Sequence, residues 1–244
     1  MPGRLPMKSD FPSSLELSIT PPPSSQPPTN VLVLLHGLGD TNEPFTKLGQ
    51  QLSLPETVCI SVQAPNPLPF FLSGFNWSDD LVIDQNTHKL DGDVGFKVST
   101  RLILDSVICE GLIGQCGYKA REIIVFGYGQ GAMAGLQAAA ELEGDELGGV
   151  ISIGGVLPLS LPLKALERKS KTPVLVCKGS RGSAVSDSAI TRLKDAFEFL
   201  QLQQWNEYGD KMPRNREEML PIMQFFARRL RSTRGVPAGG VELT

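Results

Sequence analysis

The chain is expected to fold as an α/β protein, a mostly parallel sheet with helices on both faces. Three observations carry this. Short runs rich in Val and Ile recur along the chain, each four or five residues long and bounded by Gly, Pro or polar residues, as buried parallel strands are. Stretches with helical apolar spacing lie between them, and strand–helix alternation implies right-handed crossovers. The size, 244 residues with 41% hydrophobic and 20% charged, suffices for a sizeable core and excludes disorder throughout.

Taken in order, residues 1–30 form a Pro/Ser-rich, mostly solvated lead-in. Within it Leu15-Glu16-Leu17-Ser18-Ile19 alternates with period two and reads as an edge strand, after which Pro21-Pro22-Pro23 turns the chain. Buried strands are expected at Val31–Leu35, Val58–Val62, Ile123–Phe126, Gly149–Ile153 and Val174–Cys177. Val94, Val98, Leu102, Val107 and Ile108 mark one helix reaching about Ile113, and Gly131–Leu142 is alanine-rich, as a helix packed tightly on a sheet would be. Ile190, Leu193, Phe197 and Leu200 define another helix. The last begins near Asn215, whose side chain can cap it with Glu218 completing a capping-box-like pair. With no internal repeat and no linker, residues 31–231 are expected to be a single domain and 232–244 a frayed tail. Arg228, Arg229, Arg231 and Arg234 read as a solvated helix end that complements the helix dipole, more than as a membrane or partner patch.

Several function classes are excluded. A net charge of −3 gives no electrostatic case for nucleic-acid binding. No apolar run approaches the roughly 20 residues of a membrane span, and the first residues lack the apolar core of a secretory signal. Cys59, Cys109, Cys116 and Cys177 show no ligand-like spacing, so no metal, no disulfide scaffold and no cofactor is indicated. The expected compartment is the cytoplasm, with the nucleus open.

Ligands of an open parallel sheet bind beyond the carboxyl ends of its strands. Two loops there stand out. His36-Gly37-Leu38-Gly39-Asp40 follows the first buried strand, and its glycines let backbone N–H groups turn toward an oxyanion. Gly127-Tyr128-Gly129-Gln130-Gly131 lies between a strand and the alanine-rich helix, the context of a nucleophile elbow.

On these residues the chain resembles the phospholipase/carboxylesterase family of α/β-hydrolases, which includes acyl-protein thioesterases. HGLGD at 36–40 is similar to its oxyanion loop and FGYGQGAMAG at 126–135 to its elbow. Ser61 to Asp79, with Asn76-Trp77-Ser78-Asp79, resembles its segment ending in Trp-Phe-Asp, and Val150 to Leu159 its strand before a Leu-Pro turn. The resemblance covers roughly residues 31–230. It implies an α/β-hydrolase fold, an oxyanion hole formed by the N–H groups of Leu38 and Gln130, and a supporting role for His36 beneath the loop.

The departures bear on function. The nucleophile position is Gly129, the position of the acid is Gly182, and that of the base is Met212. Independently of any alignment, the only histidines are His36 and His88, whereas hydrolase triads run Ser, acid, His along the chain. The expected protein is therefore a hydrolase-fold protein without its triad, binding a ligand or partner through the old site. An acyl or other small hydrophobic ligand, a protein partner and a homodimer all fit this reading. The alternative is an active carboxylesterase or thioesterase using Ser180 or Ser183 with His36 or His88. Cys177 beside Lys178 is weaker as a nucleophile, and Asp187 reads as part of a helix start. His88 reads as solvent-exposed, and Leu68-Pro69-Phe70-Phe71-Leu72 either lines an acyl groove or covers the sheet edge. A third reading has the pocket filled by bulky side chains over Gly129, with Met212 the first candidate.

Overall fold

In the computed structural model, residues 3–23, 27–69, 73–83, 90–91 and 93–232 are described. The strands are β1 (Leu17–Thr20), β2 (Asn30–Leu35), β3 (Thr57–Val62), β4 (Ile123–Tyr128), β5 (Gly149–Ile153), β6 (Val174–Arg181) and β7 (Leu200–Tyr208). They form a seven-stranded sheet in the order β1-β3-β2-β4-β5-β6-β7. Only β1 runs antiparallel to its neighbour, with Leu17 opposite Val62. The remaining pairs are parallel.

Helices α1 (Asn42–Leu52), α2 (Lys97–Arg101, continuing through Leu102–Gln115), α3 (Gln130–Glu141), α4 (Asp187–Ala196) and α5 (Arg216–Arg229) cover the sheet. The pleat sends alternate residues of each strand to opposite faces. Val31, Val33 and Leu35 of β2 pack with Ile103 and Val107 of α2, Leu136 of α3 and Leu193 of α4. Leu32 and Leu34 pack with Phe45 of α1 and with Phe225 and Phe226 of α5. Helices α2, α3 and α4 thus lie on one face, and α1 and α5 on the other. Asn215 caps α5 as its sequence suggests, accepting from the Glu218 N–H at 2.9 Å. Glu218 closes the box differently, accepting from the Arg214 N–H and from the Asn215 amide.

The structure changes three expectations. The helix expected to reach Leu200 stops at Ala196, and Leu200 opens β7. That strand holds no continuous apolar run: Leu-Gln-Leu-Gln-Gln-Trp is half polar because it lies at a sheet edge and buries only part of its surface. The lead-in is not simply solvated. Phe11 is buried against Gly111 of α2, where any side chain would collide with the ring. Arg4 makes two bonds to Asp10, at 2.6 and 2.8 Å, and holds that carboxyl down to about 2. A single aromatic anchor and one ion pair leave almost no compositional trace in a proline-rich stretch. Finally, β4 and β6 extend beyond the apolar runs, to Tyr128 and Arg181, so they carry their polar ends into the site. His88, residues 70–72 and residues 233–244, Arg234 among them, fall outside the described residues.

Candidate active site

The carboxyl ends of β2, β4, β5 and β6 meet at the turn between β4 and α3. There Gly129 has φ 51° and ψ −118°, and it starts the helix. Its N–H donates to the Ile153 carbonyl at 2.8 Å, and its own carbonyl accepts from Met133 at 3.1 Å. A strand, one residue in the left-handed region and then a helix make the sharp turn that lifts a side chain above a hydrolase sheet.

The elbow glycines have different reasons to be glycine. A Cβ on Gly127 would sit 2.6 Å from the Ala132 nitrogen, and one on Gly131 2.7 Å from the Leu35 carbonyl oxygen. Helix and strand approach too closely there for any side chain. A Cβ on Gly129 would meet nothing within 4 Å. Only its positive φ favours glycine, and that is the conformation a presented nucleophile must tolerate.

The oxyanion-type loop is held from several sides. His36 is fully buried, and its Nδ1 lies 2.8 Å from the Gly37 carbonyl. Its Nε2 accepts from the Ala64 N–H at 3.0 Å and faces the Gln63 amide at 2.8 Å. Because the Ala64 group can only donate, Nε2 is the unprotonated nitrogen and Nδ1 carries the hydrogen of a neutral ring. Burial pushes the His36 pKa down. The Trp77 indole donates to the His36 carbonyl at 2.8 Å, and the Trp77 N–H donates to the Gln130 side chain at 2.7 Å. Loop 36–40, Trp77 and the first residue of α3 are therefore joined, and Leu38 stands exposed at the loop's tip. Gly39 and Asp40 bond across to Phe75, and the Asp40 carboxylate accepts from Thr41. Asp79 accepts from the N–H groups of Lys97 and Val98, capping α2 from the same segment.

This wiring makes stability pH-dependent. A histidine whose folded pKa lies below the ordinary 6.5 keeps its full stabilising contribution above that value. As pH falls through 6.5 the unfolded chain takes up the proton first, and stability declines until the folded pKa is reached, by at most about 1.4 kcal/mol per pH unit. Chemical denaturation between pH 7.5 and pH 5, conditions chosen around that midpoint, should show this slope in the parent. The slope should flatten in His36→Gln, which will be less stable throughout; an unchanged slope would rule out the neutral buried ring.

The positions expected for an acid and a base, Gly182 and Met212, lie on loops that Asp210 ties to one another and to Tyr128. Gly182 has φ 64°, and a Cβ there would meet the Tyr208 ring at 2.8 Å. Tyr208 is 70% exposed, so the ring covering this position is free to move. Met212, like Tyr128, is partly buried against the core on the α1 and α5 face. Its loop reaches the elbow through Asp210, whose carbonyl accepts from the Tyr128 hydroxyl at 3.0 Å. The Asp210 carboxylate accepts from the Gly179 N–H at 3.0 Å and from the Ala184 N–H at 2.8 Å. In a working triad an acid–imidazole bond joins these two loops. Here the Asp210 carboxylate joins the two loops through backbone donors. Nothing in the sequence pattern assigns Asp210 or Tyr128 a role of its own, because their partners are backbone groups.

Other expected placements divide. His36 does not meet Ser180 or Ser183: its ring partners are two backbone groups and Gln63, while Ser180 donates to the Glu207 carbonyl and Ser183 accepts from Val185. The Cys177 thiol is buried and pushed up to about 12, which removes it as a nucleophile. Asp187 lies in the first turn of α4, as expected of a helix start, and Ser186 is the cap. A Cβ on Gly129 would meet nothing within 4 Å, so the filled-pocket reading is corrected: Met212 is partly buried against the core and does not fill the space at Gly129.

The fold and site define an α/β-hydrolase-type protein with strand, elbow, helix and an oxyanion-type loop. The chain belongs to the phospholipase/carboxylesterase family, whose pattern it matches over residues 20–230. It is 33% identical over 208 residues to an uncharacterized hydrolase of Schizosaccharomyces pombe, covering 82% of this chain and 83% of that one. Acyl-protein thioesterase 1 of Saccharomyces cerevisiae is 29% identical over 160 residues, covering 61% of this chain and 68% of that one. Among solved structures, esterase PE8 superposes with a TM-score of 0.68 at 24% identity, covering 88% of this chain and 99% of that one. Zea mays acyl-protein thioesterase 2 gives 0.61 at 21%, covering 88% and 98%. At those identities the structures support the fold alone.

Proposed function

We propose that this protein is a non-catalytic member of its family that has vacated the triad at Gly129, Gly182 and Met212 and binds a ligand through the old site. The observation that carries this reading is the asymmetry of the elbow glycines. Gly127 and Gly131 are demanded by packing, while Gly129 has room for a side chain and carries none. The neutral, enclosed His36 and the buried Cys177 with its raised pKa both argue against these residues as an activated base or nucleophile. The niche by Leu38 and Gln130 suits the carbonyl or carboxylate end of an acyl compound, with Leu38 offering an apolar contact.

Two measurements test this. Purified protein should hydrolyse p-nitrophenyl butyrate no faster than the roughly 10³–10⁴ over water that a triad-less hydrolase site retains. Octanoate titrated against isotope-labelled protein should shift the Leu38 and Gln130 amide resonances first. Enzyme-like turnover that survives repurification would refute the non-catalytic reading, and shifts confined to other regions would refute binding at the old site.

A further inference from the structure

Helices α2 and α3 lie side by side on one face of the sheet, and both line a groove of about 330 Å³. On α2 the lining residues are Lys97 and Arg101, and on α3 they are Gln137 and Glu141. Residues four apart share a helix face, so each pair forms one wall. One wall is cationic, the other offers a carboxylate and an amide. Leu161 and Pro162 complete the lining with apolar surface.

The two walls are complementary but do not close on one another. Among the described residues neither Lys97 nor Arg101 is in an ion pair, and neither side chain makes a hydrogen bond. An unmade pair between exposed side chains is commonplace on its own. Gln137 sets this groove apart. It is only 6% exposed, and its amide nitrogen donates to the Glu141 carboxylate at 2.9 Å. That bond fixes which way the amide points, so its Oε1 can only accept, and it is buried without a donor. Native proteins rarely keep a buried acceptor unmatched, which makes a donor from outside the chain the natural complement.

The groove is also preformed. The loop that carries Leu161 is fastened by Arg192 of α4, which donates to the carbonyls of Leu157 at 3.4 Å, of Pro158 at 2.6 Å and of Leu161. From the other side the Leu159 N–H donates to the Asp93 carboxylate at 2.8 Å. A ligand there meets surfaces that need little ordering on arrival.

We propose that this groove binds a free α-amino acid as its zwitterion, with an apolar side chain. The carboxylate is met by the fork of the Arg101 guanidinium and by the Lys97 ammonium. The ligand's own ammonium has three donors, enough for the Glu141 carboxylate and the unmatched Gln137 Oε1 together. Leu161 and Pro162 receive the side chain. Both charges sit on one carbon, so one small molecule reaches both walls, and the volume is at the small end for ligand sites. A simple anion would meet Glu141 as a like charge, and a simple cation would meet Lys97 and Arg101.

Titration of isotope-labelled protein with L-leucine tests this. The Gln137 side-chain amide resonances should shift saturably, with a dissociation constant of about 1 mM or tighter. Isocaproate, which lacks the ammonium, and isopentylamine, which lacks the carboxylate, should each bind at least about tenfold more weakly. Arg101→Gln and Glu141→Gln should each weaken leucine by a similar factor with an unchanged circular dichroism spectrum, because both side chains reach solvent. Leucine that leaves the Gln137 resonances unmoved, or moves them without saturating, overturns the proposal. So does binding of equal strength by either half-ligand, or by both variants.

Discussion

A Gly129→Ser, Gly182→Asp, Met212→His triple variant is expected to hydrolyse p-nitrophenyl butyrate at least about 100-fold faster than the parent, out of the roughly 10⁶ that a complete triad contributes. Each position makes a separate case. A Cβ on Gly129 points into open space, so the hydroxyl is sterically welcome, and its positive φ costs about 1–3 kcal/mol, as it does in any working elbow. Gly182 also lies in the left-handed region, which Asp tolerates better than most residues, but its Cβ needs the exposed Tyr208 ring to swing aside. Met212 leaves a half-buried place of suitable size on a loop already fastened at the elbow by Asp210. The gain falls short of a full triad because an imidazole there must form its acid bond while Asp210 keeps its two backbone donors. Gly129→Ser alone should gain little, since a serine hydroxyl without a base is a weak nucleophile. If the triple variant folds with a parent-like spectrum and stays silent, the assignment of the vacated positions is wrong.

How far the residues alone could lead follows from where each signal resides. The central strands were readable because burial on both faces requires Val, Ile and Leu without interruption, as at Val31–Leu35. The elbow was readable because Gly127 and Gly131 answer to backbone collisions, which permit one residue type and so fix a motif. Strand β7 was hidden because an edge strand buries only part of its surface, and its glutamines carry no periodic apolar mark. Phe197, expected on the helix before it, sits in extended conformation just past the end of α4 and still fills the core. Asp210 was hidden for another reason: its role lies in accepting from two backbone groups some 30 residues away, and backbone donors leave no trace in a sequence. On the proposed reading, the Asp210 bonds to Gly179 and Ala184 hold the two loops together where a triad would use an acid–imidazole bond.

Gly131→Ala should be among the most destabilising single methyl additions in the molecule, with a loss of about 3 kcal/mol or more and a fall in melting temperature of about 6–12 °C for a chain of this size. In an ordinary helix interior the same change helps, because alanine restricts the unfolded chain and favours the helix by about 1 kcal/mol. Here the new Cβ would lie 2.7 Å from the Leu35 carbonyl oxygen and closer still to that of His36. Both atoms belong to backbone, so no side-chain rotation can relieve the contact; α3 must lift from the end of β2. That shift moves the Gln130 side chain away from Trp77, and Trp77 from the His36 carbonyl, loosening the loop that presents Leu38. Calorimetry reads the first effect, and solvent exchange of the Ala64 amide, bonded to His36, reads the second. Gly129→Ala supplies the comparison: it adds the same methyl to the same turn in open space, carries only the cost of its φ, and should leave Ala64 protected. Equal losses from the two variants would mean that backbone conformation, not the close approach of helix and strand, decides which glycines the elbow needs.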